Sequence, residues 1–149
     1  MLTTIFSLYA KNQNSAWELR KIGHRLTVAK DYAEALQILE KETFDVVLLD
    51  LHMPMVIQGA LASSALKLGE QVPYGALLIW DTALAKAKRV AVVTDLNHHS
   101  DPFSAAYDRY TNKVFMVNET LVRMIHAPMS NGAKDWVSAL STVLSSRVE

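Results

Sequence analysis

Cysteine is absent from this chain of 149 residues. Disulfide staples, thiolate catalysis and thiolate metal sites go with it, and the absence suits a reducing compartment. Glycine is scarce: five residues, at 23, 59, 69, 75 and 132, are too scattered for a Walker or dinucleotide phosphate loop. No serine sits in a G-x-S-x-G elbow, which argues against hydrolase chemistry of that kind. A surplus of either charge is also missing. The 15 basic and 15 acidic residues cancel, so no general positive field would hold a nucleic-acid backbone. Apolar runs long enough to cross a membrane are lacking too. Met1 to Ala10 is apolar but short, has no basic start and runs directly into polar Lys11 to Ser15, so it reads as a strand and not a signal peptide. The expectation is a cytoplasmic protein with neither a membrane nor a nucleic-acid partner.

With half its residues hydrophobic and a fifth charged, the chain is expected to be globular, and its length suits one domain over 1–149. Strand and helix patterns take turns along it. Thr3 to Tyr9 is a strand, and Ser15 to His24 a helix with Ala16, Leu19 and Ile22 on one face. Arg25 to Ala29 is a second strand. Asp31 with Glu34 three residues on forms a capping-box pattern, which opens a helix through Ala35, Leu36, Ile38 and Leu39. Phe44 to Leu49, interrupted only by Asp45, has the continuous apolar character of a strand buried on both faces. Further strands are expected at Arg89 to Thr94 and Leu121 to Ala127, and a closing helix at Ala133 to Leu144. Alternation of this kind predicts a parallel sheet with helices on both faces and right-handed crossovers.

The segment Phe44-Asp-Val-Val-Leu-Leu-Asp50-Leu-His-Met-Pro54 resembles the third strand of response-regulator receiver domains, where an apolar strand delivers an aspartate to its carboxyl end and Met-Pro follows. Ligands of open parallel sheets sit outside that edge. Leu26 to Leu36 is similar to the receiver's second strand and second helix. The region from Val90 through Asn97-His-His99 to Lys134-Asp-Trp136 resembles a group of stand-alone bacterial receiver-like proteins. The fold this implies is flavodoxin-like: a doubly wound, five-stranded parallel sheet with helices on both faces. The plain alternative for Asp50 is an aspartate that caps the segment after a strand.

The resemblance implies Asp50 as phosphoacceptor and Thr94 as the switch hydroxyl. Phosphoryl transfer also needs a metal and a cation to offset charge. Where receivers carry an acidic pair after the first strand, this chain has Leu8, Tyr9 and Ala10; where they carry lysine before proline, it has Ala127 before Pro128, with His126 beside it. Magnesium is therefore expected to bind weakly, and a pseudo-receiver is favoured over a working phosphoacceptor at Asp50.

Two departures from the receiver plan stand out. The stretch between Asp50 and Thr94 is enlarged. It holds Gln58 to Leu68 and then a helical pattern from Pro73 to Lys88 whose apolar positions, Leu77, Leu78, Trp80, Ala83, Leu84 and Ala87, cover enough circumference to require burial or a partner. In addition, Lys113 to Thr120 and Leu121 to Ala127 can pair as a hairpin through Asn118 to Thr120, adding an edge strand.

Asp50, Asp95, His98, His99 and Asp101 form a candidate transition-metal set, which His52 and His126 could join. The competing reading has Asp101 and Pro102 starting a helix over Phe103 to Tyr110, with the Asn97-His98-His99 loop making local hydrogen bonds. Two functions remain open. One is a stand-alone, non-enzymatic signalling module of the two-component type that contacts a sensor kinase, an effector or a second copy of itself. The other is a metal site at the sheet edge, catalytic in its strongest form.

Overall fold

The computed structural model describes residues 4–8, 19–54, 71–94, 102–127, 129–130 and 133–148. Strand β1 (Thr4–Leu8) is followed by helical residues 19–21, then by β2 (Arg25–Ala29) and α1 (Tyr32–Leu39). Next come β3 (Val46–Asp50), the two-residue strands β4 (Met53–Pro54) and β5 (Gln71–Val72), a 3-10 turn (Tyr74–Ala76), α2 (Leu78–Leu84) and β6 (Arg89–Thr94). The chain continues through α3 (Pro102–Tyr107), a 3-10 turn (Asp108–Tyr110), β7 (Val114–Val117), β8 (Thr120–His126), β9 (Met129–Ser130) and β10 (Ala133–Lys134) to α4 (Trp136–Ser145).

The main sheet runs β2-β1-β3-β6-β8-β7. Its first five strands are parallel, and β7 pairs antiparallel with β8 at the edge. This is the expected doubly wound five-stranded sheet with one added strand. All five residues of β3 are buried, because helices cover both faces of a central parallel strand. Val47 and Leu49 point into one core with Ala35 and Leu39 of α1 and Leu78 and Ile79 of α2. Val46 and Leu48 point into the other with Leu19 and with Trp136, Ala139, Leu140 and Val143 of α4.

Local signals set most boundaries. Asp31 Oδ1 accepts the Glu34 amide at 2.9 Å as the cap requires, and Glu34 Oε2 reaches back one residue beyond the cap to accept the Lys30 amide at 2.9 Å. Asn118 takes the left-handed conformation (φ 52°) that a tight hairpin needs, and Val117 faces Thr120 across a two-residue turn. Residues 19–21 are helical, but the helix is broken by Gly23 (φ 90°), whose amide donates to Arg20 O at 3.0 Å. Ile22 thus falls outside the helical residues and is exposed, unlike buried Leu19, with which a longer helix would have grouped it.

Two helix starts are also corrected. Pro73 precedes a 3-10 turn, and the α-helix starts five residues later at Leu78. Leu77 before it and Trp80 and Leu84 on its outer face are exposed, so of the two expected alternatives, burial or a partner, burial does not hold for these three. The last helix starts at Trp136, not Ala133, because Asp135 caps it by accepting the Ser138 amide at 2.9 Å. Ala133 and Lys134 belong instead to a ribbon with Met129 and Ser130. Gln58 to Leu68 lies outside the described residues.

Candidate functional site

Asp50 ends β3 at the carboxyl edge of the sheet, in register with Val93 of β6. Continuity with β6 persists one residue further, where the Leu51 amide donates to Val93 O at 3.1 Å. Thr94 is the last residue of β6, is buried, and its carbonyl accepts the Ala127 amide at 2.8 Å. The candidate acceptor and the candidate switch hydroxyl therefore sit at the ends of adjacent strands. His126, opposite Thr94 on β8, is exposed, whereas His52 is buried two residues after Asp50.

The Asp50 carboxylate has partners that sequence reasoning did not supply. Lys134 Nζ donates to Asp50 Oδ1 at 2.5 Å, and the two side chains are only 8% and 9% exposed. The His52 amide donates to the same oxygen at 3.2 Å, an Asx-type turn over the strand end. A lysine expected directly after the fifth parallel strand is thus replaced by one that arrives after a two-strand ribbon. The signal that could have located it is the cap: Asp135 followed by Ser138 places the helix start after Lys134, which leaves that lysine in the connection at the carboxyl edge. Its ammonium also lies 5.9 Å from the centre of the Trp136 ring, within cation–π range.

An ion pair this buried is strongly held only when both members stay charged and hydrogen-bonded, since each paid a large desolvation cost. Lys134 occupies Oδ1 as a bound cation would, without bringing a metal. The sequence carries no carboxylate before Glu18, so β1 and the residues directly after it supply none. Gly75 closes the site from the enlarged crossover. Its amide donates to Leu51 O at 3.1 Å, and a Cβ there would lie 2.0 Å from the Asp50 carbonyl oxygen. Only glycine lets the two backbones approach so closely.

Among the described residues, no three His, Asp or Glu side chains gather as a metal set. Asp95, Asn97, His98, His99 and Asp101 lie outside those residues, as do Tyr9, Ala10 and Pro128. Asp50 itself is committed to Lys134. No helix among the described residues is long and apolar enough to cross a membrane.

No protein-family model and no curated protein sequence matches the chain. Among solved structures it is similar to a response regulator protein from Burkholderia pseudomallei, with 18% identity and a TM-score of 0.54, covering 95% of this chain and 67% of that one. That protein was crystallised with a phosphorylated aspartic acid, a calcium ion and citrate. The chain is also similar to the response regulator TrrA of Thermotoga maritima in complex with Mg2+-BeF, with 15% identity and a TM-score of 0.53, covering 94% of this chain and 97% of that one. At these identities the likeness establishes the fold, which is that of response-regulator receiver domains.

Proposed function

From a receiver fold whose candidate acceptor aspartate is already paired, we propose that this protein acts as a pseudo-receiver in two-component-type signalling. In this reading it is not an enzyme, and it acts in the cytoplasm through contacts with a protein partner such as a sensor kinase or an effector. The observation that carries the reading is the buried Asp50–Lys134 pair at 2.5 Å, in a chain with no carboxylate ahead of Glu18. Phosphoryl transfer to an aspartate needs a divalent ion bridging acceptor and phosphoryl oxygens, and magnesium demands strong oxygen ligands. Here a lysine supplies the positive charge and holds the acceptor carboxylate.

A working phosphoacceptor is the second reading, and one observation favours it. Lys134 beside Asp50, with Thr94 at the end of the adjacent strand, supplies a cation and a hydroxyl for a phosphoryl group. The test is incubation of wild type, Asp50→Asn and Lys134→Met with acetyl phosphate and magnesium, read by intact mass. The pseudo-receiver reading expects no phosphoryl adduct on any of the three. Magnesium-dependent labelling of wild type that Asp50→Asn abolishes overturns it. A parallel zinc titration covers the metal reading of Asp50, Asp95, His98, His99 and Asp101. Stoichiometric zinc binding lost in His98→Ala would transfer the function to that loop.

A further inference from the structure

The end of the sheet remote from Asp50 holds a second polar concavity. Arg89 opens β6, and Arg123 lies on β8 opposite Ala91, so both guanidinium groups reach the end of α4. Arg89 Nη1 donates to the carbonyls of Val143 and Ser146 at 2.9 and 2.8 Å. Arg123 Nη1 donates to Ser146 Oγ at 2.8 Å, and that hydroxyl donates to Thr142 O at 2.7 Å. Every one of these partners is neutral. No carboxylate of the described residues pairs with either arginine, and the buried Nε of Arg123 has no acceptor.

A partly buried guanidinium normally has a carboxylate or another anion to offset its desolvation. Next to Arg123 the chain leaves a cavity of about 880 Å³, lined by Asn112, Lys113, Arg123, Ser145, Ser146 and Arg147. Among the described residues that line it none is acidic, and three are cationic. Hydroxyl and amide groups stand among the cations, giving the mixture of charge and directional donors that suits phosphate oxygens.

We propose that this cavity is a binding site for a small phosphorylated molecule, with the hydrogen-bonded Arg123 guanidinium as its anchor and the exposed Lys113 and Arg147 as further cations. The added strand β7 helps create the site, since Val114 pairs with Arg123 and also lines the cavity. A ligand there would bridge the β7–β8 hairpin to the end of α4, beside the Arg123–Ser146 bond and the apolar packing of Leu121 and Val114 against Val143. The inference does not rest on the reading of Asp50.

The test is a titration of 15N-labelled full chain with inorganic pyrophosphate at constant ionic strength, followed by amide shifts. The expected result is saturable movement confined to residues 112–114, 123 and 145–148. Arg123→Met should weaken binding about tenfold or more, equivalent to losing one charge-assisted hydrogen bond. Lys113→Ala/Arg147→Ala changes only exposed side chains, so it reports on the site even if the Arg123 variant folds poorly. The amides of Asp50 and Lys134 should not move during the titration, which separates this site from the carboxyl edge of the sheet, whereas saturable shifts there alone would overturn the proposal. The proposal is overturned if wild type shows no saturable shifts, or if the double variant keeps both its wild-type melting temperature and undiminished affinity.

Discussion

The ammonium of Lys134 and the carboxylate of Asp50 meet 2.5 Å apart across 84 positions of sequence, and both are nearly sealed from solvent. Removing either member leaves the other as a buried, uncompensated charge. Lys134→Met should therefore cost about 3–5 kcal/mol of folding stability. Combining it with Asp50→Asn should recover a substantial part of that loss. Urea unfolding of the two single variants and the double variant measures the coupling, and additive losses would show that the pair contributes nothing of its own.

Gly75 offers a steric test of the same site. A methyl group there would meet the Asp50 carbonyl oxygen at 2.0 Å and the Leu51 Cα at 2.9 Å, and neither backbone atom can swing aside. Gly75→Ala should cost about 1–3 kcal/mol, the usual penalty of overpacking. It should also remove the exchange protection of the Gly75 amide, now bonded to Leu51 O. Hydrogen exchange compared with wild type checks both effects, and unchanged protection would mean that the crossover does not hold this contact in solution.

The cap of α4 predicts a pH dependence. The Asp135 carboxyl is held below the usual carboxylate range, first by the Ser138 hydroxyl and then by the Ser138 amide, against a smaller opposing effect of burial. A carboxyl whose pKa is lowered on folding stabilises the protein above its unfolded value, and the contribution disappears as pH falls through the folded value. Stability should accordingly decline on the acid side of the ordinary carboxylate range. Asp135→Ala should flatten that decline, and Ser138→Ala should move it toward higher pH. Unfolding midpoints measured across the acid range test the prediction, and an unaltered profile in Asp135→Ala would refute it.

Helix α2 has one buried and one bare side, and substitutions should distinguish them. Leu78 is fully buried, whereas Leu84 is 74% exposed. Leu78→Ala should cost about 2–5 kcal/mol, as for other core leucines. Leu84→Ala should stay within about 0.5 kcal/mol. Thermal unfolding of the two variants provides the comparison, and equal losses would place Leu84 in contact with another surface.

Much of this fold was legible from one dimension because its signals are local. The unbroken apolar run of Val46 to Leu49, the Asp31–Glu34 cap and the Asn118 turn each act within a few residues, where periodicity and backbone preference decide the outcome. Placement of Asp50 at the carboxyl edge follows from the same run. By itself the sequence determined a doubly wound sheet with an aspartate at its carboxyl edge and an added hairpin. Tertiary structure alone decided what that aspartate touches. Lys134 reaches Asp50 only because a short ribbon returns the chain to the edge before Asp135 starts α4, and Gly75 reaches it only because the enlarged crossover folds back over β3. Arg89 and Arg123 likewise share the end of α4 because two parallel strands lie side by side. Such contacts are set by the register of distant segments, and no local pattern encodes a register.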